Sequence, residues 1–90
     1  MNRIIIDGNR IKSKEEFFTA VQNQIGAERL IGRNLDALYD VLTSLTVHTV
    51  IEIHSRQLLE SALGEYWKRI FWVLSDCLDE NRDLELKIES

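Results

Sequence analysis

The chain has no proline and only four glycines in 90 residues. Linkers and disordered tracts are rich in such breakers and poor in apolar residues, so no stretch here reads as either. Cysteine occurs once, as Cys77. That excludes an internal disulfide and a cysteine-built zinc site. Cys77 falls with Leu74 and Leu78 on an apolar helix face, where it reads as a small buried hydrophobe. No apolar run approaches the length that spans a bilayer. The opening Met1–Asp7 is too short and too soon charged for a signal peptide, so a cytoplasmic location is expected. Cations are in deficit, with 11 Lys and Arg against 15 Asp and Glu and a net charge of -4. A nucleic-acid binder needs a basic surface to displace counterions, so the balance points away from nucleic acid and towards a basic protein partner.

What is present supports one folded domain over residues 1–90. The apolar share, 44%, is typical of a globular core. Ile4-Ile5-Ile6 reads as a buried strand over 3–7. Ser13 and Glu16 form a capping box that opens a helix with Phe17, Phe18, Val21 and Ile25 on one side, stopped at Gly26. Asn34 is an N-cap for a second helix running to about Leu45. Val47–Ile53 is β-branched and predicts a second strand. Ser55 is expected to cap a third helix with Leu58, Leu59, Ala62 and Leu63 inward. Tyr66–Leu78 predicts a fourth helix, with Trp67, Ile70, Phe71, Leu74, Cys77 and Leu78 inward and Trp72 off that row. Leu84–Glu89 alternates strictly and predicts a strand covered on one face. The order strand, helix, helix, strand, helix, helix, strand implies an α/β fold: a small two-layer domain, a three-stranded parallel sheet with four helices on one face.

The second helix is the most informative segment. At about 100° per residue, Leu35, Leu38, Leu42 and Leu45 gather on one side with Val41 at the edge. Asp36, Tyr39, Asp40 and Thr43 gather opposite them, at spacings that make surface neighbours. A charged outer face is usually only a solvated one, and wheel geometry alone places that reading slightly ahead. Two features favour a binding surface. Asp36 and Asp40 are like charges four apart with no later cation in the helix to pair with them. Tyr39 adds an exposed aromatic of the kind enriched at binding hot spots.

Gly32 and the run Asn34-Leu35-Asp36-Ala37-Leu38-Tyr39-Asp40-Val41-Leu42 resemble the signature of the barstar family, G-x-N-L-D-A-L-W-D-x-L, with tyrosine where tryptophan is usual. The similarity extends more weakly over nearly the whole chain. Barstar-like proteins are intracellular inhibitors of a secreted ribonuclease of the barnase type. The resemblance therefore implies a non-enzymatic inhibitor that blocks the ribonuclease active site with this helix and the loop before it. It implies that Asp40 enters the pocket for the substrate phosphate and that Asp36 meets the same basic wall. Gly32 and Asn34 would shape the loop and helix start, and Asp76 on the last helix would add an ion pair. Leu30, Tyr39 and Thr43 complete the implied contact surface. The chain departs from the family pattern at Leu30 and Ile31, where aromatics are usual, at Leu45, and at Arg33, which puts a cation near the acidic stripe. The alternative is an acidic interaction module on the same fold with a different basic target.

Other chemistry has little support. His48 and His54 flank the second strand with Glu52 between them, but this is no known ligand spacing. The isolated glycines form no phosphate loop. No catalytic residue, cofactor or metal is expected, and the free protein is expected to be a monomer.

Overall fold

A computed structural model describes residues 2–26 and 32–89. The order is β1 (Asn2–Asp7), α1 (Lys14–Ile25), α2 (Leu35–Ser44), β2 (Thr49–His54), α3 (Arg56–Leu63), α4 (Glu65–Glu80) and β3 (Leu84–Glu89). The strands form one parallel sheet in the order β1-β2-β3. Ile4 and Ile6 of β1, Ile51 and Ile53 of β2 and Leu84 of β3 are buried against the helices. The α/β architecture expected from the sequence is therefore present. Each neighbouring pair is joined by a helical crossover, which is why all three strands run parallel.

Local signals explain most boundaries. Ser13 Oγ accepts from the Glu16 amide at 3.1 Å, while Glu16 Oε1 accepts from the Lys12 amide at 2.6 Å. The capping box thus closes one residue upstream of its usual form. Phe17 and Phe18 are fully buried and meet edge to face with ring centroids 5.1 Å apart. β2 begins at Thr49, two residues later than its β-branched composition suggests, and the Thr49 hydroxyl donates to the Val47 carbonyl at 2.8 Å.

The third helix differs from its sequence reading. Ser55 does not cap it: its backbone is left-handed, at φ 55°, and its side chain makes no cap bond. Its hydroxyl instead accepts from Asn9 Nδ2 at 2.9 Å, tying the turn after β1 to the start of α3. Gly8 is required in that turn, because a Cβ there would stand 2.3 Å from the Ser55 carbonyl oxygen. Only Leu59 of the expected inward row is buried in α3; Leu58 and Ala62 are exposed and Leu63 is half-buried.

Asn81 fixes how α2 and α4 sit together. It is 8% exposed, and its Nδ2 donates to the carbonyls of Leu42 and Leu45, each at 2.9 Å. Those groups lie at the C-terminal end of α2, where helical partners run out and the Leu42 carbonyl otherwise meets only the Leu45 amide at 3.4 Å. Its Oδ1 accepts from the Asp83 amide at 2.9 Å, shaping the turn into β3. One carboxamide therefore joins the ends of two helices to the last strand. Asn81→Ala should lower unfolding free energy by about 2 kcal/mol, read from urea denaturation midpoints, because it strands buried acceptors.

The sheet face away from the helices is polar but well paired. Glu52, 6% exposed, lies at its centre with Arg3 Nε at 2.5 Å and His54 Nε2 at 3.0 Å. The hydrogen bond from His54, with the nearby charges of Arg3 and Lys87, holds the Glu52 carboxyl below its ordinary value of 4.5 against the opposing effect of burial. A carboxyl lowered in the folded state stabilises above its unfolded value, and that contribution fades as pH falls through the folded one. The stability difference between wild type and Glu52→Gln should shrink as pH falls below 4.5. Denaturant titrations across that range measure it; a difference unchanged down to pH 3 would contradict it.

Candidate functional site

α2 starts at Asn34, whose Oδ1 accepts from the Ala37 amide at 2.8 Å. Gly32 stands close to this cap: a Cβ on it would lie 3.1 Å from Asn34 Nδ2 and 3.3 Å from the Ala37 Cβ. Asn34 therefore caps the helix start, and Gly32 stands against that cap. Leu38, Val41 and Leu42 are buried and Leu35 and Leu45 half-buried, so the leucine side of the wheel faces the core. Asp36 and Asp40 are exposed as a consequence.

Tyr39 and Thr43 differ from the sequence reading, which put both on the open face. Both are half-buried. They sit on the flank of the wheel, and α4 lies along that flank. The Tyr39 ring packs against the rim of the core. The Thr43 hydroxyl turns back to donate to the Tyr39 carbonyl at 2.7 Å.

Between α2 and α4 runs a shallow groove of about 400 Å³, lined by Leu35, Asp36, Tyr39, Val73, Asp76, Asp79 and Glu80. The structure thus brings Asp36, Tyr39 and Asp76 together, with Asp40 close enough for its charge to act on the Tyr39 phenol. Burial, and then the negative charges of Glu80, Asp76 and Asp40 among others, raise the phenol above its ordinary value, so it stays a neutral hydrogen-bonding group. Asp79 and Glu80 were missed by sequence reading, which ended the fourth helix at Leu78. Their signal was available, since they stand three and four residues beyond Asp76. Leu30 lies in 27–31, outside the described residues.

Among the described residues, none of Asp36, Asp40, Asp76, Asp79 and Glu80 makes an ion pair. Arg33, the cation expected near the stripe, points the other way. Its Nη1 donates to Thr19 Oγ1 at 2.9 Å and, at 3.5 Å, to the Glu15 carbonyl on α1. Asp36 sits in the first turn of α2, where the helix dipole favours an anion. Asp79 and Glu80 sit in the last turn of α4, where it does not, and that turn holds no basic residue. The surface is a set of anions open on one side and, among the described residues, without internal neutralisation.

The chain matches the family model for Barstar (barnase inhibitor) over residues 1–89. It belongs to the barstar family. A Bacillus subtilis (strain 168) protein carrying the name "Putative ribonuclease inhibitor YrdF" is 29% identical over 89 residues, a span of 98% of this chain and 97% of that relative. The barstar signature at Gly32–Leu42 thus lies on the helix that presents the acidic groove.

The remaining candidates separate from this site. His48 precedes β2 and its Nε2 lies 2.8 Å from Glu85 Oε2, whereas His54 pairs with Glu52. The two histidines serve different carboxylates. Among the described residues no cluster of three His, Cys, Asp or Glu could hold a metal ion, and no helix is long and apolar enough to cross a membrane. Cys77 is buried, and desolvation followed by the charge of Asp76 pushes its thiol up to about 12. A thiol so protonated in the core is a packing group, not a nucleophile.

Unpaired like charges cost stability. Asp36 and Asp40 repel each other at a four-residue helical spacing. Asp40→Asn should therefore raise unfolding free energy by about 0.2–0.5 kcal/mol at low ionic strength. The gain should shrink in high salt, as thermal or urea unfolding at two ionic strengths would show.

Proposed function

We propose that this barstar-family protein is a cytoplasmic inhibitor of a secreted ribonuclease of the barnase type, acting as a stoichiometric plug and not as an enzyme. The supporting observation is the unpaired carboxylate set of α2 and α4 around Tyr39. Asp40 takes the place of a substrate phosphate and accepts charge-assisted hydrogen bonds from the arginine and histidine side chains of the enzyme's pocket. Asp36 meets the same basic wall, and Asp76 adds an ion pair from α4. Tyr39 lines the groove with an aromatic surface whose hydroxyl remains neutral. Gly32 and Asn34 hold the helix start at the angle that presents these groups, while Leu30 and Thr43 lie at the margins of the contact.

The physics favours binding over catalysis. A ribonuclease cleft has to be basic to hold RNA, so its field attracts an acidic helix as well as its substrate. Anions held on two packed helices lose little conformational freedom when they dock. A shallow, open groove rimmed by exposed carboxylates cannot exclude water from a reaction, whereas the helices that form it can dock on another protein's cleft.

Asp40→Ala should weaken inhibition of a barnase-type ribonuclease by about two to three orders of magnitude. The estimate is the usual cost of truncating one member of a desolvated charge pair, a scale calibrated on the barnase–barstar pair itself. Inhibition by wild type should also fall with added salt. RNA cleavage by a panel of such enzymes, with titrated inhibitor, tests both. Undiminished inhibition by Asp40→Ala would refute the phosphate mimicry. No inhibition of any enzyme by the folded protein would favour an acidic module with a different basic target.

A further inference from the structure

The two edges of the sheet are finished differently. Asn2 donates its amide to the His48 carbonyl and Gly8 donates to that of His54, each at 2.8 Å. Alternation along a parallel strand then turns the backbone groups of Ile5 outward. Gln24 of α1 meets both: its Oε1 accepts from the Ile5 amide at 2.7 Å and its Nε2 donates to the Ile5 carbonyl at 2.8 Å. A side-chain amide thus occupies the place of a neighbouring strand, and the β1 edge is closed.

The β3 edge has no such closure. Thr49 donates to the Asp83 carbonyl at 2.8 Å and Ser55 to that of Glu89 at 3.1 Å, so the odd-numbered residues of β3 turn their backbone groups to β2. Those of Leu86 and Ile88 face outward. Among the described residues nothing bonds to them; only Leu84 finds a partner, its amide donating to Asn81 at 3.2 Å. Ile88 is 44% exposed.

An exposed edge invites another strand, and charges on it usually forbid the match. Here they select one. A closed pair of edges is antiparallel about a two-fold axis, and outward-facing residues of one copy have to meet outward-facing residues of the other across it. With Leu86 on the axis, Leu84 meets Ile88 of the second copy on the helix-covered face, and Glu85 meets Lys87 of the second copy on the polar face. A shift of one step in either direction sets Lys87 against Lys87 or Glu85 against Glu85. The like-charged ends in the favoured register, Asp83 and Glu89, keep the association weak. So do the internal pairs of Glu85 with His48 at 2.8 Å and Lys87 with Glu89 at 3.1 Å.

We propose that the outer edge of β3 is a self-association surface, on which two copies pair antiparallel about Leu86 with Glu85 of each against Lys87 of the other. The proposal departs from the monomer expected from the sequence. Sedimentation velocity up to millimolar protein should show a concentration-dependent dimer. Glu85→Lys and Lys87→Glu, both on exposed side chains, should each weaken dimerisation by about tenfold or more. An equimolar mixture of the two variants should recover it, since every cross-strand pair is then Lys–Glu. Hydrogen exchange of the wild type gives a variant-free readout: the Leu86 and Ile88 amides should slow as concentration rises. A wild type that stays monomeric at millimolar concentration overturns the proposal. So does a dimer indifferent to both variants, a mixture that fails to recover, or unchanged exchange at Leu86 and Ile88.

Discussion

The buried carboxamide of Asn81 holds the geometry on which the rest depends. Leucine packing sets the rotation of α2, because Leu38 and Leu42 can be buried in one phase only. Packing is less exacting about how far one helix slides along another. Two hydrogen bonds from one side chain to the last carbonyls of α2 supply that axial lock. Asn81 is also the residue that ends α4. The distance along the chain from Asn81 to Asp76, Asp79 and Glu80 is therefore a distance in space from the end of α2, and the two acidic stripes keep one register.

That register is kept at an energetic cost. A helix is stabilised by cations near its C-terminus, yet α4 ends in Asp79 and Glu80 and α2 has no basic residue in its last turn. Tyr39 brings an aromatic into the groove where its phenol is held neutral by burial and by surrounding negative charge. The acids that end α4 are kept against helix electrostatics, as expected where function competes with stability.

Much of this was legible in the sequence, for reasons that can be named. The capping box at Ser13, the cap at Asn34 and the leucine row of α2 depend on residues within one or two turns of each other, and all three are present. The barstar signature spans one such local run, so it located the acidic helix directly. The misses share a different cause. Tyr39 and Thr43 lie on the flank of α2, and only the position of α4 decides whether a flank is wet. Arg33 reads as a neighbour of Asp36 along the chain, but Thr19 on α1 draws its guanidinium away. Ser55 follows a strand and precedes a helix as a cap should, yet its backbone is left-handed where the chain passes close to Gly8. The roles of Asn81 and Gln24 are long-range hydrogen bonds that no local pattern announces.

The polar sheet face supplies an internal comparison for the acidic groove. Acids outnumber bases in this chain, so some unpaired carboxylates are expected anywhere. They are not spread evenly. On or beside the sheet, Glu52 has Arg3 and His54, Glu85 has His48, Glu89 has Lys87, and Asp7 has Arg10. Even at the start of α4, Glu65 has Lys68 at 3.3 Å. The described carboxylates around Tyr39 have none. Glu15, Glu16, Glu60 and Asp83 also lack an ion pair among the described residues, but they are scattered over α1, α3 and the turn into β3. The group on α2 and α4, beneath the family signature, is the one that a single cationic partner would complete.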